Sequence, residues 1–271
     1  MSHDKSELLE AEDPSRGVNL RVPCFTRIDE DVIRKQLERD HFFWLDLEDP
    51  SEEDVLALAH IFHFHPLALE DVRAFNQRPK LDDYTDHAFL VFYGARERED
   101  QEQDQDLLRE VHLFVSGQFL ITIHREPLPS LDEQRSKIEG RVMHSEQFLI
   151  YRVLDALTDT FFPVLSALDD QIDAVEDEVI ERPNDELLQR IFSLKRDLVS
   201  MRKVVGPQRD IFARSIDQLA ELPGLQLDER DYFRDIYDHL IRISELIDSY
   251  RDLLGGATDL YLSTVANRRT R

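Results

Sequence analysis

The most regular alternation of apolar and polar positions lies at the end of the chain, from Asp228 to Arg271. Phe233, Leu240, Ile247, Leu254 and Tyr261 form one column. Ile236, Ile243, Tyr250, Ala257 and Thr264 form a second, so the spacing alternates three and four in a heptad register. A third column (Tyr232, His239, Leu246, Leu253, Leu260) widens this face, while Asp231, Asp238, Glu245, Asp252 and Asp259 place an acid at every seventh position opposite it. The pattern predicts one helix of roughly 40 residues, about 60 Å long, whose far end leaves any compact body about 30 Å across. Gly255-Gly256 is its weak point, each glycine costing about 1 kcal/mol relative to alanine. The pattern stops at Asn267 to Arg271 without a capping glycine or proline, as a stalk cut from what it leads to.

Upstream, the period changes. Val18 to Phe25 reads as a strand, Asp29 to Arg39 as a short helix and Phe42 to Leu47 as a second strand. Asp49-Pro50-Ser51-Glu52 then offers a cap, a first-turn proline and a capping-box acid for a helix ending near Phe62. His65-Pro66 starts another helix, Leu67 to Val72. Lys80 to Tyr84 and His87 to Tyr93 alternate as paired strands, Arg96 to Asp106 is a polar loop, and Leu108 to Val115 and Phe119 to His124 flank the hairpin signal Ser116-Gly117. Beyond Leu131 the chain is helical. Leu154, Leu157, Phe161, Val164, Leu168, Ile172, Val175 and Val179 mark one arm, which Arg182-Pro183-Asn184 ends. A second arm runs from Leu187 to about Leu219 with a kink expected at Gly206-Pro207, and Pro223-Gly224 turns the chain into the last helix. The fold class is therefore α+β: an acidic disordered lead-in at 1–17, an α/β layered domain with a mixed sheet at 18–130, helical arms at 131–227 and a stalk helix at 228–271.

Charge and composition restrict the chemistry. There are 57 Asp and Glu against 33 Lys and Arg, a formal net charge of −24. Such a field repels nucleic acid and anionic membrane surfaces and concentrates cations. A single cysteine, Cys24, excludes an internal disulfide and fits a reducing compartment. No apolar run reaches 18 residues and no signal peptide opens the chain, so the sequence as it stands reads as soluble. With 8 glycines in all and no nucleophile elbow, neither a phosphate-binding loop nor a Ser-His-Asp site can be assembled, which argues against an enzyme. His60, His63 and His65 offer zinc ligands, but they straddle a helix end where His65 can simply begin the next helix. Glu70-Asp71 is a carboxylate pair at the C-terminal end of a short helix, where the dipole disfavours negative charge and a hard cation would relieve it. Asp155 and Asp159, one turn apart on the first arm, read as polar-face acids.

Several blocks, in order along nearly the whole chain, carry a resemblance. They are Trp44 to Pro50, His65 to Asp71, Gln77 to Tyr84, Phe119 to His124, Ile180 to Pro183, the stretch from Leu194 to Arg202, and Tyr232 to His239. Together they resemble the cytoplasmic domain of the CorA family of magnesium and cobalt channels. The resemblance implies a funnel-shaped homopentamer of the cell inner membrane, with this region cytoplasmic. The last helix would run on after Arg271 into two transmembrane segments and a Gly-Met-Asn loop, which are not in this sequence. It also implies metal sites between subunits: Asp71 and Asp235 at one, Glu70 and Asp159 at a second, binding Mg2+, with Co2+ or other divalent cations as alternatives. The expected function is a regulatory body that closes the pore when these sites fill. A zinc-transporting relative of the same architecture and a helical scaffold without metal remain as alternatives.

Overall fold

The computed structural model describes residues 20–96, 106–139, 141–143, 145–181, 183–214 and 230–269. The expected lead-in at 1–17, most of the polar loop before Asp106 and the turn at Pro223-Gly224 lie outside them. In chain order the elements are β1 (Leu20–Arg21), β2 (Cys24–Phe25), α1 (Glu30–Glu38), β3 (Phe43–Glu48), α2 (Glu52–Phe62), α3 (Pro66–Ala74), β4 (Lys80–Asp83), β5 (Ala88–Ala95), β6 (Leu108–Val115) and β7 (Phe119–His124). The helical part comprises α4 (Pro129–Ile138), the short β8 (Val142–Met143), α5 (Glu146–Asp159), α6 (Phe161–Glu181), α7 (Asp185–Arg214) and α8 (Arg230–Arg269). The class is α+β.

Six strands form one mixed sheet in the order β2-β3-β7-β6-β5-β4, with β2, β3 and β7 parallel and the remaining pairs antiparallel. Every residue of β5 and β7 is buried, which is why these strands read as continuous apolar runs rather than alternating ones. The strand expected over 18–25 is broken. Pro23 has no N–H to donate, so Leu20–Arg21 pairs with β8 while Cys24–Phe25 joins the sheet beside β3. The start of α2 also differs from expectation. Asp49 adopts φ 45° and gives its N–H to the His124 carbonyl at 2.7 Å, so Ser51 is the N-cap and Asp54, not Glu52, closes the capping box.

The helices dock on the outer edge of β5. Strand β4 pairs with β5 only from Ala88 to Val91, which would leave the Tyr93 and Ala95 N–H groups beyond it without a ladder partner. Gln208 Oε1 of α7 accepts from Tyr93 N at 2.6 Å, and Thr160 Oγ1 at the α5–α6 junction accepts from Ala95 N at 2.7 Å. Gly94 permits this approach, since a Cβ there would meet Thr160 Oγ1 at 3.0 Å and the Leu157 carbonyl at 3.4 Å. The arm expected as one helix through Val179 is interrupted at Thr160. Pro163 lacks the N–H that would bond back to Asp159.

The apolar columns of α8 are buried within the chain itself. Phe233, Ile236, Leu240, Ile243, Ile247, Leu254 and Tyr261 are each 5% exposed or less. They pack on α6 and α7, with α5 covering the N-terminal part. The stalk thus has two arms alongside it up to Tyr261, rather than a free end waiting for a partner. The third column opens toward solvent at Leu253 and Leu260.

Candidate metal centre

Two helical ladders face each other where α5 meets the start of α8. On α5, Tyr151, Asp155 and Asp159 follow at intervals of four residues, which puts them on one side of the helix. On α8, Asp235 and His239 repeat the interval. The Tyr151 hydroxyl donates to Asp235 Oδ2 at 3.0 Å and the ring stacks on Tyr232 with centroids 4.8 Å apart, which fixes the register of the two helices. Burial, followed by the charges of Asp155 and Asp235, pushes the Tyr151 phenol above its ordinary range, so it remains a donor.

His239 lies among the carboxylates. Its Nδ1 is 3.6 Å from Asp155 Oδ1 and 3.5 Å from Asp159 Oδ1, and its Nε2 is 3.7 Å from Asp235 Oδ1. None of these three separations is a hydrogen bond. The imidazole is held edge to face on Phe162 at 5.8 Å. Asp155, Asp159 and His239 each present a ligand atom within 4.8 Å of the other two, the one such grouping among the described residues. First-row ions and Mg2+ hold nitrogen and oxygen at about 2.0–2.2 Å, so neighbouring ligands sit roughly 3.0–3.4 Å apart. Separations of 3.5 and 3.6 Å need to close by only a few tenths of an ångström. The donor types are those a divalent ion takes, with the two α5 carboxylate oxygens held within 4.8 Å of each other, and the imidazole suits cobalt or zinc at least as well as magnesium.

The sequence-predicted residues fall into two groups. Asp159 and Asp235 both touch His239, as described. Glu70 and Asp71 lie on α3, Glu70 exposed and Asp71 bound to Lys80 Nζ at 2.7 Å. The α3 pair and the α5–α8 pair therefore stand on separate elements. Lys80 also binds Asp82 at 2.6 Å. Burial opposes its charge, but the hydrogen bonds to Asp71 and Asp82 outweigh that and carry its pKa above the ordinary lysine range. An ammonium thus already compensates Asp71.

Two readings of residue type need correction. Asp155 is not a polar-face acid: its side chain is 3% exposed, with Arg152 Nη1 3.8 Å away. His239, placed in the third apolar column by its spacing, is the residue that gathers the carboxylates. The histidines 60, 63 and 65 do not converge. His60 pairs with Glu30, His63 ends α2 in the left-handed region, and His65 caps α3 and stacks on Tyr84. Burial pushes the Cys24 thiol up to about 11, so it supplies no thiolate.

Residues 39–271 match the family model described as CorA-like Mg2+ transporter protein. The chain belongs to the CorA family. This is a family of ion transporters, not of enzymes. The cobalt/magnesium transport protein CorA of Thermotoga maritima is 32% identical over 233 residues, which are 83% of this chain and 64% of that protein. The fold matches the complete CorA magnesium transporter of Methanocaldococcus jannaschii with a TM-score of 0.71 at 19% identity, over 84% of this chain and 71% of that one. It also matches the ZntB cytoplasmic domain of Vibrio parahaemolyticus with a TM-score of 0.68 at 17% identity, over 84% and 88%. No helix among the described residues is long and apolar enough to cross a membrane.

Proposed function

We propose that this region is the cation-sensing body of a CorA-type transporter of divalent cations, and that it acts by holding helix α8 in place when the cation is abundant. The observation that carries this reading is the convergence of Asp155 and Asp159 of α5 with His239 of α8. Two like-charged carboxylates of α5 face an imidazole of α8, and a cation between them would attract all three. Filling the site ties the sheet-docked helix α5 to the long helix. Asp71 with Asp235, and Glu70 with Asp159, complete the sensor between subunits of a homopentamer, as the resemblance implies. Mg2+ is the physiological ligand in this reading and Co2+ a substitute. The long helix then leads toward the inner membrane, with this region on the cytoplasmic side.

A second reading, a zinc-transporting relative, is favoured by the imidazole donor and by the fold shared with the ZntB domain. One experiment separates them. The melting temperature is followed in titrations of Mg2+, Co2+ and Zn2+ against 0.5 M KCl as an order-of-magnitude excess of monovalent salt. Sensing of Mg2+ requires saturable stabilisation that Asp159→Asn and Asp71→Asn diminish and Asp252→Asn does not. Stabilisation by Zn2+ alone supports the second reading. If no divalent ion stabilises the chain beyond what KCl does, both fail.

A further inference from the structure

A cleft of about 1120 Å3 lies between the sheet domain and α7, with Arg251 of α8 among its lining residues. Its walls carry Arg78, Arg109 and Arg125 from the sheet domain and Arg202, Lys203 and Arg251 from the helices, against three carboxylates. In a chain of net charge −24 this is a local reversal of sign. With a Debye length of about 8 Å at physiological ionic strength, the groups lining the cleft decide its potential and the distant acids do not.

Two of the three carboxylates are engaged. Glu126 Oε2 is 2.5 Å from Arg109 Nε. Glu110 takes the Gln77 N–H and the Tyr93 hydroxyl, both at 3.0 Å, and the His112 ring at 2.6 Å. Asp106 remains exposed at the margin. The cations are less fully matched. Arg202 and Arg251 share the single carboxylate of Asp248, at 2.5 and 3.1 Å. Arg125 is fixed by the Arg73 carbonyl at 2.8 Å and lies 4.4 Å over the Phe75 ring, with no carboxylate partner among the described residues. Arg78 and Lys203, both exposed, have no ion pair among the described residues.

We propose that this cleft binds a small polyanion of the polyphosphate class, held by Arg78 and Arg125 on one wall and Lys203 on the other. Guanidinium forks match phosphate oxygens in pairs, and a lysine supplies a mobile point charge. The volume is slightly above the about 300–1,000 Å3 usual for small-molecule sites, enough for a nucleotide. Because one wall belongs to the sheet domain and the other to the helices, the bound anion would also cross-link them. This site does not depend on the metal reading.

The test is calorimetric titration of the 271-residue chain in EDTA with inorganic triphosphate and, separately, with ATP. Saturable 1:1 binding that weakens with added KCl is expected. Arg78→Gln and Lys203→Gln should each weaken it about tenfold, equivalent to about 1.4 kcal/mol. Both positions are exposed, so the fold should tolerate the changes, and unchanged melting temperatures would verify that. Lys35→Gln, an equal change of charge on exposed α1, should leave binding as it was. Equal affinity for the two ligands assigns recognition to the phosphate chain, and tighter ATP adds the nucleoside to the contact; both support the site. Absence of saturable binding by either ligand, or an equal loss in Lys35→Gln, overturns it.

Discussion

Asp159→Asn should change stability in opposite directions with and without a divalent cation. Its ligand oxygen lies within 4.8 Å of that of Asp155, whose side chain is 3% exposed. At that distance two carboxylates repel by roughly 3.5 kcal/mol at an effective dielectric of 20 and by roughly 0.9 kcal/mol in water. Because Asp159 is 43% exposed, the value near the water limit applies, about 1 kcal/mol. Removing that repulsion should raise the melting temperature in EDTA by up to about 2–4 °C for a domain of this size, less whatever Asp159 loses of its contact with the His239 ring at 3.5 Å. With the cation at a hundredfold excess over Kd, the wild type gains about 2.7 kcal/mol and the variant loses most of that gain. The two proteins should thus exchange rank between EDTA and saturating Mg2+ or Co2+, measured by calorimetric or fluorescence melting in excess KCl. A variant less stable than wild type in EDTA that retains the full metal increment would refute the reasoning, because Asp159 would then be a structural acid and not a ligand.

Lys80→Gln removes the ammonium that compensates Asp71, so if Asp71 binds the cation the midpoint of the Mg2+ titration should fall about tenfold, or about 1.4 kcal/mol; an unchanged midpoint would assign Asp71 to the ion pair alone. The pKa of buried His124 is raised because the hydrogen bond and charge of Asp46, 3.2 Å away, outweigh the burial that opposes protonation. A raised folded-state pKa contributes stability that is complete below the ordinary value of 6.5 and is lost as pH rises through the folded one. His124→Gln should accordingly cost more in urea unfolding at about pH 6 than at about pH 9. Gln208→Leu leaves the buried Tyr93 N–H without its acceptor and should cost about 1–3 kcal/mol in urea unfolding, whereas Arg209→Gln beside it, half-exposed on the same helix, should cost under about 0.5 kcal/mol.

Most of the architecture was legible because its signals are local and repeated. The columns of α8, the buried runs of β5 and β7 and the hairpin at Ser116-Gly117 need no knowledge of the rest of the chain. What escaped depends on distant partners or on one residue acting through the backbone. Asp49 does not cap α2 because the His124 carbonyl, 75 residues on, claims its N–H. Pro163 divides the first arm without disturbing the apolar spacing on either side of it, so periodicity passed over the break that Thr160 exploits to reach β5. The heptad seam fixed a sticky face for α8 but not its occupant. A seam filled by α6 and α7 of the same chain and one filled by a neighbouring subunit have the same pattern.

The site was half legible for a related reason. Carboxylates in a chain with 57 acids give no contrast against their background, so residue type alone could not set Asp155 apart from Asp238 or Asp252. The discriminating signal was a coincidence of spacing on two helices. Asp155 and Asp159 stand four apart on α5, as do Asp235 and His239 on α8, and two such pairs can face each other only where the helices pack side by side. That packing is fixed by the stacked rings of Tyr151 and Tyr232 and by the hydroxyl of Tyr151 on Asp235, contacts between residues more than 80 positions apart. His239 then reads differently in its two contexts. Along α8 it continues an apolar column whose later members are leucines, and its ring meets Phe162 edge to face, an apolar contact that a leucine there would also make. Across the helix pair it is the nitrogen that brings both α5 carboxylates to a common point, which a leucine could not do. The substitution His239→Leu would thus keep the packing and remove the donor, so its effect on metal-dependent stability isolates the chemistry of the site from the fold that presents it.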